Sequence, residues 1–444
     1  MSETETAKNQ EELFDKEKLK EIIGLDIDSL PLEPKEHRSA GIIGTAGHVD
    51  HGKSTLTQAL TGKFPATYSE ELIRGITIKL GYSHLDILLC PDSGFPEAFT
   101  SNARAKCPTK ERPRHLRCYS ILDHPGHEIL ISTMLSGASI TDYALVVIAA
   151  NEPCPMPQTR EHVAALEVMG VKNIIVAQNK IELVSKERAF ENYKEILNFF
   201  ENETSFGTPI IIPVSAALGI NIDILLATIY KKFTPLEKKL NADPIMYVAR
   251  TFDPNLPGTK PEKLIGGAFG GALKQGTLKV GEEIEIRPGI IDKKGNAQPI
   301  LSEIASIQTD GGHPLEEAQP HALIGIATFL DPGLTKADKL AGSIIGKPGR
   351  LPEIVRSIYI RDLHMFPRII GAKINMENAP LKKNERILIN VGTNINFGLV
   401  QDVDDDSANI ILAKPISIQK GEIVAISRLI EREFRLVGYG SLDY

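Results

Sequence analysis

The sequence predicts an α/β domain built on a doubly wound, mostly parallel sheet, followed by two β-barrel domains. Three observations carry this. A phosphate-cradle pattern, "GHVDHGKST" at 47–55, stands between an apolar run and a helical one. Short apolar runs alternate with helical periodicity from about 39 to 233. From 244 onward the chain breaks into short β-rich segments punctuated by Gly and Pro.

The elements follow in order. Residues 1–36 read as a charged N-terminal extension with one short amphipathic helix at "KEKLKEIIGL". The runs "AGIIGTA", "CYSILD", "ALVVIAA", "NIIVAQN" and "PIIIPVSA" are apolar and short, as buried strands are. Helical spacing at 157–169, 185–201 and 221–233 separates the later ones, which implies parallel strands covered on both faces. Past "KKFTPLEKKLNADP" the punctuation of "GGAFGGALKQGTLKVGEEIEIRPG" is that of Greek-key barrels, and "GKPGRLPE" at 346–353 divides the remainder. The expected domains are therefore 1–36, 37–238, 239–347 and 348–444.

Composition sets outer bounds. A chain of 444 residues is too long for one ordinary core. Its apolar share of 42% and charged share of 24% are those of a globular protein. Apolar stretches such as 144–150 are far shorter than the roughly 20 residues of a membrane span. No apolar leader opens the chain, so a cytoplasmic protein with no membrane partner is expected. The net charge is −7, but residues 1–40 hold six Lys/Arg against eleven Asp/Glu, which leaves −2 for the rest. Nucleic acid could then be held only through local basic patches. Four cysteines without paired spacing read as free thiols.

The chemistry begins at Gly47, with Gly52, Lys53 and Ser54 four residues on. Glycines let backbone N–H groups crowd around phosphates, and the helix N-terminus adds positive potential. Lys53 reaches the β and γ phosphates, and Ser54 ligates magnesium. Asp50, His51 and Thr55 belong to the same cradle. Asp50 is the anomaly, because a carboxylate there must point away or share a cation. In "IRGITIKLG" at 73–81 a threonine would ordinarily be a strand residue. Lying between two phosphate motifs, Thr77 reads instead as a switch residue that ligates magnesium and senses the γ-phosphate.

In "LDHPGHEIL" at 122–130, Asp123 would hold magnesium through a water and the Gly126 N–H would meet the γ-phosphate. His127 stands where a catalytic residue orients the attacking water. His124 is expected to be a pocket or surface residue. "NKIE" at 179–182 and "VSAALG" at 214–219 each follow a strand, at the sheet edge where doubly wound folds bind ligands. Asn179 would brace the loops and the Lys180 stem would cover the purine. Glu182 would accept from N1–H and N2–H₂, and Ala216 N–H, with Ser215 and Ala217 beside it, would serve O6. Adenine would leave these groups unpaired, so the reading is GTP/GDP rather than ATP.

These motifs together resemble those of a translational GTPase, the class that includes elongation factor Tu. More specific strings, among them "EELIRGITIKLGY", "NEPCPMPQTREH", "QNKIELV", "RTFDPNLPGT", "LDPGLTKADKLAGS", "AISRLI" and "RLVGYG", resemble the gamma-subunit family of eukaryotic and archaeal translation initiation factor 2. The likeness runs from about 39 to 440. It implies GTP-dependent delivery of initiator methionyl-tRNA to the small ribosomal subunit. It also implies partnership with alpha and beta subunits, and with GTPase-activating and nucleotide-exchange factors. It further implies that Asp50 and the Gly75 carbonyl share a second magnesium.

The chain departs from the family at two places. Family members commonly carry a zinc knuckle of two cysteine pairs, whereas here the insertion offers only Cys90 and Cys107. Adding His115 and Cys118 makes four ligands at poor spacing, so zinc is not expected. The insertion is basic instead, with Arg104, Lys106, Lys110, Arg112, Arg114 and Arg117 against Glu111, as in a solvated loop or one that meets RNA phosphates. The tail has Tyr439 where tryptophan is usual. The rival expectations are a selenocysteine-specific elongation factor, a nucleotide-binding scaffold without turnover, and a P-loop ATPase.

Overall fold

A computed structural model describes residues 24–25, 30, 38–65, 79–90, 93–105, 107–108, 110–127, 130–255, 258–260, 264–371 and 376–443. The expected N-terminal extension apart from residues 24–25 and 30, the switch residues Gly75 and Thr77, and Lys106 lie outside the described residues. Contacts divide the chain into two units. The first is made of 1–127, 141–167 and 171–235, the second of 128–140, 168–170 and 236–444.

The first unit is one seven-stranded sheet. Its strands are β1 (Ile42–Ala46), β2 (Gly81–Leu89), β3 (Phe99–Thr100), β4 (Arg114–Asp123), β5 (Tyr143–Ala149), β6 (Asn173–Asn179) and β7 (Ile210–Pro213), in spatial order β3-β2-β4-β1-β5-β6-β7. Strand β1 runs parallel to both β4 and β5, so the order reverses there and the sheet opens a crevice beyond its carboxyl end. All seven residues of β5 are buried, the signature of a strand covered on both faces. The expected mostly parallel α/β sheet is present; its antiparallel members are β2 against β4 and β3 against β2.

The helices of this unit are α1 (Lys53–Thr61), α3 (Pro157–Val168), α4 (Lys186–Glu203) and α5 (Ile222–Lys232), while α2 (Ile131–Ala138) falls in the second unit. Some of their boundaries have a local cause. Helix α1 ends on Gly62, which takes φ 74 and returns its N–H to Gln58 O. Ser185 caps α4 by accepting from Arg188 N. Asp223 in the first turn of α5 and Lys231 and Lys232 in its last complement the helix dipole.

The second unit holds two closed six-stranded barrels. The first is formed by β8 (Ile245–Phe252), β9 (Ala268–Gln275), β11 (Glu283–Ile291), β12 (Ala297–Thr309), β15 (Ala322–Thr328) and β16 (Ile344–Gly346), and closes where β11 pairs with β12. The two-residue strands β10 (Leu278–Lys279), β13 (Pro314–Leu315) and β14 (Glu317–Ala318) are appended to it. Met246, Val248, Phe269, Ile286, Ile304 and Ile326 fill its interior. The second barrel is β17 (Ile354–Met365), β20 (Ala408–Ser417), β19 (Asn394–Val403), β18 (Arg386–Val391), β21 (Ile423–Ile430) and β22 (Glu433–Asp443) in ring order. Tyr439 packs against His364 and Phe366 inside a small aromatic group.

Two expectations are corrected here. Cys90 and Cys107 are not free thiols but a disulfide, because β2 turns back through β3 and brings their Cα atoms to 5.3 Å, within bridging range. Cys118 and Cys154 remain free. The basic insertion also loses a member: Arg117 is 8% exposed and belongs to the interior. Its guanidinium donates to Tyr230 O and Phe233 O and lies 4.4 Å from the Tyr230 ring, while exposed Arg114 pairs with Glu111.

Candidate nucleotide-binding site

The loop from Gly47 to Gly52 leaves buried β1 and enters α1. Gly52 must be glycine twice over. Its φ is 90, and a Cβ would strike the Asn179 side-chain amide. Asp50 also adopts the left-handed region, φ 61, and is exposed at the crown of the loop. Non-glycine residues held there cost about 1–3 kcal/mol and gather at ligand sites.

Lys53 is buried, and its ammonium donates to Gly47 O at 3.0 Å and His48 O at 2.8 Å. Burial pulls its pKa down to about 8, against the opposing pull of Asp123 and Asp50. The amine therefore sits desolvated beside the cradle, still largely protonated at neutral pH. Ser54 Oγ donates to Asp123 Oδ2 at 2.6 Å, and Thr45 Oγ1 holds the other Asp123 oxygen at 2.7 Å. A Cβ on Gly126 would collide with the Lys53 ammonium and the Val49 backbone, so the loop after β4 closes directly over the cradle. His127 follows, half-buried, and Thr55 is exposed on the first turn of α1.

Asn179, the last residue of β6, joins two loops. Its Nδ2 donates to His51 O at 3.0 Å and its Oδ1 accepts from Ala216 N at 3.0 Å. A purine O6 would thus share the Ala216 N–H with Asn179. Ser215 is fully buried, bridges to Ile220, and accepts from Leu218 N through Oγ at 3.2 Å, which makes 215–220 a tight turn with Ala217 exposed. Lys180 takes φ 62 and starts the single 3₁₀ turn Ile181–Leu183, on which Glu182 is exposed. Gln178 ties this end of β6 to α4 through Ala189 O and Asn192 Oδ1.

One of the expected site residues points elsewhere. The His51 ring is turned away from the loop toward Val147 O at 3.2 Å and Glu152 at 3.4 Å, leaving only its backbone in the cradle. Burial takes its pKa down to about 3. His124 is buried under β1, with its ring nitrogen 2.6 Å from Thr45 O. Sequence reasoning missed two residues of α3 that hold the loop from behind. His162 Nδ1 accepts from Gly47 N at 3.2 Å, and Gln158 Oε1 accepts from Val49 N at 3.1 Å. Both lie in the string "NEPCPMPQTREH", which carried a resemblance but no assigned role.

Comparison with known proteins gives this geometry its setting. The family profile "Elongation factor Tu GTP binding domain" matches residues 35–235, and "Initiation factor eIF2 gamma, C terminal" matches 357–442. The translation initiation factor 2 subunit gamma of Pyrococcus abyssi is 49% identical over 413 residues, 92% of this chain and 98% of that one. The same subunit of Archaeoglobus fulgidus is 46% identical over 399 residues, 90% of this chain and 93% of that one. Among solved structures, a bacterial selenocysteine-specific elongation factor matches with TM-score 0.68 at 22% identity, covering 91% of this chain and 58% of that one. Elongation factor SelB of Methanococcus maripaludis, bound to the GTP analogue GPPNHP, matches with TM-score 0.67 at 20% identity, covering 92% and 79%. At these identities the two structures share the fold.

Proposed function

The chain belongs to the translation initiation factor 2 gamma-subunit family and is a translational GTPase of initiation; from that premise we propose that it carries initiator methionyl-tRNA to the small ribosomal subunit in its GTP state. In this reading the domains are those expected from the sequence, 37–238 for nucleotide and 239–347 and 348–444 for the barrels. The partners are alpha and beta subunits, the ribosomal subunit, and GTPase-activating and exchange factors in the cytoplasm. The observation that carries the reading is the extent of the likeness, which spans nucleotide loops and barrels alike rather than the GTPase motifs alone.

The residues divide the work. Gly47–Gly52 and the amino end of α1 receive the phosphates, and the Lys53 ammonium exchanges its two carbonyl partners for phosphate oxygens. The hydroxyl of Ser54 and the carboxylate of Asp123 already meet at 2.6 Å, and such hard oxygen donors suit Mg²⁺; Thr77, Asp50 and the Gly75 carbonyl are its further proposed ligands. When bound, the ion neutralises charge on the β and γ phosphates. Gly126 N–H meets the γ-phosphate and His127 orients water for attack on it, giving GDP and phosphate. Lys180 covers the purine, and Glu182 with Ala216 selects guanine.

A filter-binding comparison of initiator and elongator methionyl-tRNA, each with GTP and with GDP, tests the carrier reading. Preference for initiator tRNA in the GTP state is expected; equal binding of both tRNAs would reject it while leaving the GTPase intact.

A further inference from the structure

We propose that His84, Asp86, His115 and Cys118 form a binding site for one divalent transition-metal ion, zinc by its donor set, on the paired strands β2 and β4. The topology brings these four residues together from 34 residues apart in sequence at their widest. His84 and Asp86 are two apart on β2 and so share a face. Asp86 lies opposite Cys118 in the ladder. A register shift between Ile87 and Leu88 then sets Leu88 opposite His115, and such an irregularity re-aims a side chain that regular alternation would send elsewhere.

The distances fit coordination. Asp86 Oδ1 stands 3.3 Å from His84 Nε2 and 3.3 Å from His115 Nε2. Two ligands about 2.0–2.1 Å from one ion at the tetrahedral angle are themselves about 3.3 Å apart. The ligand atoms of His84, Asp86 and Cys118 all lie within 4.8 Å of one another, and His115 joins them through Asp86 Oδ1. The cluster is sheltered: Cys118 is 2% exposed and both imidazoles 9%.

Two nitrogens, one oxygen and one sulfur make a borderline-soft tetrahedral set. That suits zinc over magnesium or calcium, and four protein ligands make a closed, structural site. A simple ion pair accounts for less. One carboxylate oxygen, Asp86 Oδ1, is the point on which both imidazoles converge, and the Cys118 thiol lies beside them. A metal ion would replace these separate pairings with one centre shared by all four side chains. The thiol donates to Arg38 O at 3.1 Å; on coordination the sulfur would give up that hydrogen bond and bind as thiolate, its proton passing to solvent. This set differs from the four ligands weighed in the sequence, where zinc was not expected, since Cys90 and Cys107 have spent their sulfurs on each other. The ion would fasten β2 to β4 at the root of the insertion that this disulfide closes.

The full chain is loaded with Zn²⁺, freed of excess by gel filtration, and analysed by atomic emission; a parallel sample takes Co²⁺ as an optical probe. One zinc per chain and a sulfur-to-cobalt charge-transfer band are expected. Cys118→Ser removes the band and weakens zinc roughly 100-fold or more, at or beyond the upper end of the 10–100-fold loss of an outer-shell change. His84→Gln lowers zinc content but keeps the band. The double variant Cys90→Ser/Cys107→Ser keeps both. Guanine-nucleotide binding in each variant reports that the chain is folded. Little zinc in the parent chain, or zinc unchanged by Cys118→Ser and His84→Gln, overturns the proposal, as does loss confined to the double variant.

Discussion

His51 shows how far a residue in a binding motif can serve the scaffold. Its folded-state pKa of about 3 lies below the ordinary 6.5, so below pH 6.5 the unfolded chain takes up the proton first. The stability present above 6.5 is therefore lost as pH falls toward 3, and His162, lowered for the same reason, acts in the same direction. One pKa unit is worth about 1.4 kcal/mol, so His51 alone costs roughly 2 kcal/mol by pH ~5. Urea unfolding of His51→Gln at pH ~7 and ~5 is expected to show a smaller loss than the parent; equal losses would assign the titration elsewhere. Glu182 stands at the opposite extreme, exposed on its 3₁₀ turn. Glu182→Ala should weaken GTP by roughly 3 kcal/mol, the worth of one or two charge-assisted hydrogen bonds, and leave ATP unchanged in a competition titration.

At the scale of elements, the insertion between β2 and β4 separates appearance from structure. Arg117 reads in sequence as one more basic residue of a charged loop, yet it joins β4 to the end of α5. Arg117→Ala should destabilise the chain by about 2–4 kcal/mol, through the lost donor to the buried Tyr230 carbonyl and the lost packing on the Tyr230 ring. Arg114→Ala, which breaks an exposed pair, should change it by less than about 1 kcal/mol. Thermal and urea denaturation of the two variants distinguishes them, and similar losses would contradict the packing. The same region marks the limit of what the sequence made legible. Strands β1, β4, β5, β6 and β7 were readable because continuous burial leaves continuous apolar runs. Strand β2, "GYSHLDILL", alternates burial with half-exposure and carries His and Asp, so its apolar signal is weak. The disulfide was hidden because 17 residues of spacing say nothing until β3 folds back. His162 and Gln158 were hidden because they meet the phosphate loop across more than 100 residues of chain, while Lys53 and Ser54 were plain because local glycines announce them.

Across the molecule, one translational GTPase unit and two barrels are assembled from sequence that advertised each of them, and the nucleotide groups come from separate strand ends of a single sheet. Asn179 is where two of those ends meet, touching the proposed phosphate loop at His51 and the proposed base loop at Ala216. A side chain shared by two subsites makes them thermodynamically linked, and linkage is reciprocal. Guanosine should raise the affinity of the vacant cradle for pyrophosphate, and pyrophosphate should raise that for guanosine by the same factor. Calorimetric titration of each fragment with and without the other measures the coupling, and Asn179→Ala should bring it to about zero while each fragment still binds alone. Discrimination against the wrong base would then be felt at the phosphates, by the half of the site that never touches it.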